Sequence, residues 1–190
     1  MNHLRVLSVA LICGILPFSA LAEDTKPAET PLTVLDAATA NMLKGLDENQ
    51  AKQFSAITNS HGIIRSVEDV QHSLSLAVQS CSAANPDLKT GITDRFEGWK
   101  DAVRPVMKSA RSKLDKMVLL QSFAQPSQVR AYLKKFDEAV VYRNQTLKPT
   151  PIQKAEDCKK LQSSMDKTQK DLVTLITETL GLNADLKIKE

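Results

Sequence analysis

Apolar residues recur at intervals of three and four from about residue 34 to residue 182, and no stretch alternates over the length of a strand. A stripe of that period lines one face of an α-helix, whereas a half-buried strand needs a period of two. No Asn-Gly or Asp-Gly pair offers a hairpin turn either. The pattern confines the chain to an all-α fold.

The breaks in the pattern count the helices. A short helix is expected over residues 34–46, carrying Leu35, Met42, Leu43 and Leu46 and ending near Gly45. Asp47 and Gln50 have the spacing of a capping box and open a second helix. Its stripe runs through Phe54, Ile57, His61, Ile64, Val67, Val70, Leu74, Ala77 and Cys81, with a bend or break expected near Ser60-His61-Gly62. Asn85-Pro86 stops it and starts the next, which shows Ile92, Phe96, Trp99, Val103, Val106, Ala110, Leu114 and Met117. Pro105 lies inside that run, and its missing N–H and its ring predict a kink near Ala102. Beyond Gln125-Pro126-Ser127 a helix carries Val129, Tyr132, Leu133, Phe136, Ala139 and Val140. Lys148-Pro149-Thr150-Pro151 breaks it, and Thr150 with Gln153 suggests a capping box for the last helix. That helix carries Cys158, Leu161, Met165, Leu172 and Leu175, and Gly181-Leu182 reads as its stop.

Long amphipathic helices joined by short turns predict an antiparallel (up-down-up-down) bundle of about four long helices in coiled-coil-like packing. A short extra N-terminal helix and the Pro105 kink complete the expectation. The lengths do not match: residues 86–123 would span about 55 Å and residues 127–147 about 30 Å at the α-helical rise. Either the kink folds the longer helix over, or one end projects beyond the bundle.

The first 22 residues read as an address. Arg5, the apolar run from Val6 to Phe18 and Ala20-Leu21-Ala22 make a secretory signal peptide cleaved after Ala22. The run is too short for a spanning helix, which needs about 20 apolar residues. The expected organisation is a signal peptide over 1–22, a flexible leader over 23–33, a bundle domain over 34–182 and a frayed tail over 183–190. Removing the signal peptide removes Cys13 and leaves Cys81 and Cys158, an even pair in a chain bound for an oxidising compartment, periplasmic or secreted. No later run is long and apolar enough to predict a membrane span.

In an up-down-up-down bundle the first long helix ends where the fourth begins. Cys81 lies four residues before Asn85 and Cys158 seven residues after Pro151, so both fall within about two turns of one end. A disulfide between them is the expectation. Neither cysteine has the Cys-x-x-Cys or Cys/His spacing of a zinc site, and no metal is expected.

Catalytic signatures are missing. His-Glu-x-x-His, Gly-x-Ser-x-Gly and glycine-rich phosphate loops do not occur. The acidic pairs Glu68-Asp69 and Asp137-Glu138 point to different helix faces. No enzyme and no bound cofactor is predicted. His61 lies on the apolar seam, so with Met117 or Met165 opposite it is a candidate ligand of b-type haem. His72 falls on the solvated side. Lys100, Arg104, Lys108 and Arg111 recur along one helix face and form a candidate surface for an anionic partner, diluted by Asp94, Glu97, Asp101 and Asp115. The formal charge of +3 is too small to suggest nucleic acid. Asn144-Gln145-Thr146 matches a glycosylation acceptor, relevant only in a eukaryotic host. The function expected from these readings is binding of another protein or an envelope component through a helix face. The alternative is a small-molecule or haem carrier using the core near His61.

Overall fold

The structure, a computed structural model, describes residues 28–147 and 150–182. The expected signal peptide over 1–22, the first part of the expected leader, Lys148-Pro149 and the expected tail over 183–190 lie outside the described residues. Five helices account for most of the rest: α1 (Pro31–Leu43), α2 (Glu48–Ala84), α3 (Lys89–Leu120), α4 (Pro126–Gln145) and α5 (Ala155–Thr179). A 3-10 turn at Pro86–Leu88 joins α2 to α3, and no strand occurs among the described residues.

Local chemistry explains most of the boundaries. Asp47 and Gln50 form the expected box at the start of α2, with Gln50 N donating to Asp47 Oδ1 at 2.9 Å. Thr30 and Thr33 form another, which starts α1 at Pro31, three residues ahead of the expected Val34; proline suits a first turn because its missing N–H would be unpaired there anyway. At the start of α4, Gln125 N donates to Gln128 Oε1 at 3.0 Å, and Gln128 N donates to the Gln125 carbonyl at 2.9 Å. The box expected from Thr150 and Gln153 does not form. The Gln153 carbonyl instead accepts from Asn85 Nδ2 at 2.9 Å, and α5 begins at Ala155 with no side-chain cap. Glu156 and Asp157 in its first turn face the positive end of the helix dipole. At the other end Gly181 adopts φ 58°, and Leu182 N donates to Thr177 O at 2.8 Å, closing α5 as its sequence predicts.

Neither interior breaker stops its helix. α2 runs unbroken through Gly62, which packs so closely on α4 that an added Cβ would lie 3.6 Å from Phe136 Cζ. α3 is likewise one helix through Pro105, so the length mismatch is not relieved by a break there.

Tertiary contacts show what relieves it. Gln53 Oε1 accepts from Ser122 N at 2.9 Å, and Arg111 pairs with Glu68 at 2.8 Å, so α2 and α3 form a long antiparallel hairpin. α4 runs parallel to the first half of α2: His61 meets Asp137 at 2.8 Å, and Arg143 approaches Asp69 at 3.8 Å. α5 runs parallel to the first three-quarters of α3, from Gln162 beside Gly91, through Arg95 with Asp166 at 2.6 Å, to Leu180 beside Lys113. Between Arg143, level with Asp69, and Gln153, level with Asn85, the chain gains about 24 Å along α2. The two shorter helices thus share out the length of the hairpin, α4 on its open end and α5 on its turn end. α1 packs chiefly on α4, where Thr39 Oγ1 and Tyr132 OH lie 3.1 Å apart.

The core follows the stripes. Trp99, Ile92, Val103 and Ala110 of α3, Ile57 and Val67 of α2, and Met165 and Ile176 of α5 are almost fully buried. Cys81 and Cys158 are bonded at the turn end, with Cα atoms 5.7 Å apart. The bridge fastens the start of α5 to the end of α2 and closes a sequence separation of 77 residues.

Candidate functional site

Where α5 stops, no other described residue takes its place. Lys113 of α3 donates from Nζ to the Leu180 carbonyl and so caps the end of α5. The same lysine begins a groove of about 650 Å³ that continues along α2 and α3 to the open end of the hairpin. Both walls come from these two helices and the residue that follows α3. Ala56 and Ile57 of α2 and Met117 and Leu120 of α3 make the apolar lining, and Ser109 and Ser112 keep the α3 wall low. Leu120 is 81% exposed, an unusual position for a leucine beside a groove. Lys108, Lys113 and Lys116 line the α3 side, and among the described residues no carboxylate lines the groove. None of the three lysines has an ion-pair partner among the described residues. Three cations around unpartnered apolar surface equip the groove for a ligand that is apolar on one side and negatively charged on its flank.

The four residues of the candidate anionic-partner face do not act together. Lys100 pairs with Glu97 at 2.7 Å and lies over the Phe96 ring, and Arg104 pairs with Asp101 at 2.6 Å. Arg111 turns to Glu68 of α2. Only Lys108 reaches the groove, where it joins Lys113 and Lys116. Those two escaped sequence reasoning because they lie around the helix from the Lys100 stripe. Their signal is the spacing Lys113-x-x-Lys116-Met117-x-x-Leu120, a basic edge beside an apolar one.

His61, Met117 and Met165 do not converge. The His61 side chain is nearly buried, and its ring turns to α4, with Nε2 on Asp137 and an edge-on contact to Phe136 at 5.3 Å between centroids. Met117 Sδ lies 3.8 Å from Ser60 Oγ, at the groove. Met165 is buried near the turn end, level with Gly91 and Arg95, about 35 Å along α3 from Met117. His72 is exposed.

A charged cluster unforeseen from the sequence lies behind His61. Arg65 of α2 contacts Glu68 within its own helix and, through Nε at 3.2 Å, Asp137 of α4, an ion-pair distance without hydrogen-bond alignment. Glu68 also receives Arg111 of α3, and Asp69 receives Arg143 of α4. The acidic pairs seen in the sequence therefore tie three helices together. Among the described residues no group of three or more His, Cys, Asp or Glu side chains is placed to hold a metal ion. No described helix is long and apolar enough to cross a membrane.

Comparisons of the chain with protein-family models, with curated proteins and with solved structures find no match.

Proposed function

We propose that this chain is an exported, non-enzymatic binding protein, periplasmic or secreted after cleavage behind Ala22, which engages another protein or an envelope component through the α2–α3 groove. In this reading its fold is an up-down-up-down bundle whose third and fourth helices divide the length of the first two. One observation carries the reading: apolar surface and three lysines without carboxylate partners among the described residues lie along the lane that α5 leaves open. Leaving Leu120 in water forgoes about 1.5–3 kcal/mol of burial, so a partner that covers it gains that energy.

The test is a photo-crosslinking residue placed at Ser112, in the groove, and for comparison at the exposed Arg130 of α4, in the cell that makes the protein. A discrete adduct from Ser112 alone, with a mature N-terminus at Glu23 in the periplasmic or secreted fraction, is expected. Equal labelling from both positions, or none from Ser112, would remove the groove from the proposal. An uncleaved N-terminus would remove the export.

A further inference from the structure

The filled part of the lane shows what the open part is built to take. Along the turn end of the hairpin, α5 presents Met165 and Ile176 to the core, with Leu161 and Leu172 packed partly buried against it. On the same helix Asp166 meets Arg95 of α3 at 2.6 Å, and Gln169 Oε1 accepts from Arg95 at 3.0 Å. α3's basic side chain on this lane is thus answered by one carboxylate and one amide of α5. The arrangement then stops at Gly181, while α3 continues with Lys113, Lys116, Met117 and Leu120.

We propose that the open part of the lane receives an acidic amphipathic helix of a partner protein, seated on α2 and α3 as α5 is seated above it. This rests on the reading of the chain as a binding protein and names the chemistry of what it binds. Charge complementarity is the first argument: among the described residues three lysines line the groove and no carboxylate does. Shape is the second. The groove has two walls, and a small ligand is normally enclosed over most of its surface, which two walls do not achieve. A helix needs only one stripe covered and keeps its other faces in water. Length is the third: from Lys113, where α5 ends, to Gln121 is about 12 Å of α3, matched by roughly eight residues, or two turns, of helix. The partner helix carries apolar residues at i, i+3 or i+4 and i+7 towards Ala56, Met117 and Leu120. Its Asp or Glu residues lie on the flank facing Lys108, Lys113 and Lys116.

The experiment uses the mature, disulfide-bonded chain and a labelled helical peptide of about 14 residues with leucines at those spacings and glutamates on one flank. Its counterpart carries lysines in place of the glutamates. Anisotropy titration is expected to show saturable binding of the acidic peptide, weakened by salt, and none of the basic one. The double variant Lys108→Glu/Lys116→Glu changes two exposed side chains and leaves the Lys113–Leu180 contact intact. It should weaken the acidic peptide about tenfold and confer binding of the basic one, a reversal that misfolding cannot produce. Leu120→Asp should abolish both. Failure of the acidic peptide to bind, or binding indifferent to the charge reversal, overturns the inference. So does one-to-one displacement of the peptide by laurate, which assigns the groove to a single-chain amphiphile, or a dimer in sedimentation that Leu120→Asp dissociates, which assigns it to a second copy. A Ser112 adduct that is not an acidic helix sinks this inference and leaves the binding reading standing. The absence of any Ser112 adduct sinks both.

Discussion

The turn end and the open end of the α2–α3 hairpin are built from the same two helices and finished differently. At the turn end α5 fills the lane, a disulfide holds its first turn, and Met165 and Ile176 are sealed from water. At the open end α4 covers another side, where Phe54 packs edge-on against Tyr132 and Phe123, and no described residue fills the continuation of the α5 lane. The difference teaches that one pair of helices is sealed at one end and leaves apolar surface uncovered at the other. In the proposed reading the closed end holds the chain together, and the open end keeps the surface that a partner would cover.

The largest expected effect strikes the closed end. Replacing Cys81 and Cys158 by serine frees the 77-residue loop and should lower unfolding stability by up to about 4–5 kcal/mol, read from denaturant midpoints beside the wild type. A loss below about 1 kcal/mol would mean that α5 holds its place without the bridge. A matched pair sharpens the comparison. Met165→Ala empties a fully buried site and should cost about 2–5 kcal/mol, whereas Leu120→Ala, at an 81% exposed site, should stay within about 0.5 kcal/mol. Equal costs would erase the division between the two ends.

Gly181→Ala tests the boundary itself. Its φ of 58° penalises any Cβ, and the substitution should cost about 1–2 kcal/mol and loosen the last turn of α5, seen as faster amide exchange from Thr177 to Leu182. Unchanged exchange there would show that Lys113 and Leu182 end the helix without the glycine. Smallest of the four, Arg111→Ala removes an exposed ion pair to Glu68 and should change stability by about 0–1 kcal/mol, diminishing further in salt. A salt-independent loss above that range would make the charged cluster behind His61 a structural element comparable with the core.

Much of the closed end was legible in residue order. The stripes through Ile92, Trp99 and Ala110 match the buried face of α3, because a helix that must bury one side has to repeat every three or four residues. Helix ends were legible at both ends of the hairpin: Asp47–Gln50, at the open end, and Gly181-Leu182 mark theirs because capping is decided within a few residues. The Cys81–Cys158 contact followed from helix direction alone, since antiparallel succession returns α5 to the end of α2. The break expected near Gly62 does not occur: Gly62 weakens an isolated helix, and tertiary packing, with Phe136 against Gly62, outweighs a local cost of about 1 kcal/mol.

The groove at the open end was not legible in that way. Lys108 belonged to a basic stripe in the sequence, but in space Lys100, Arg104 and Arg111 find acidic partners while Lys108 joins Lys113 and Lys116. Which lysines remain unpaired depends on which helix lies opposite, and periodicity within one helix carries no such information.

By itself the sequence determined that the chain is helical, where most helices begin and end, which stripe each buries and which two cysteines meet. These are properties of single helices or of their order, governed by steric period, capping and chain direction. Only the tertiary structure decided that α4 and α5 sit at different levels of the hairpin. Axial level is set by long-range packing and by the path between Arg143 and Gln153, and neither leaves a periodic trace. The open part of the α5 lane, with its exposed leucine and unanswered lysines, follows from that one tertiary choice.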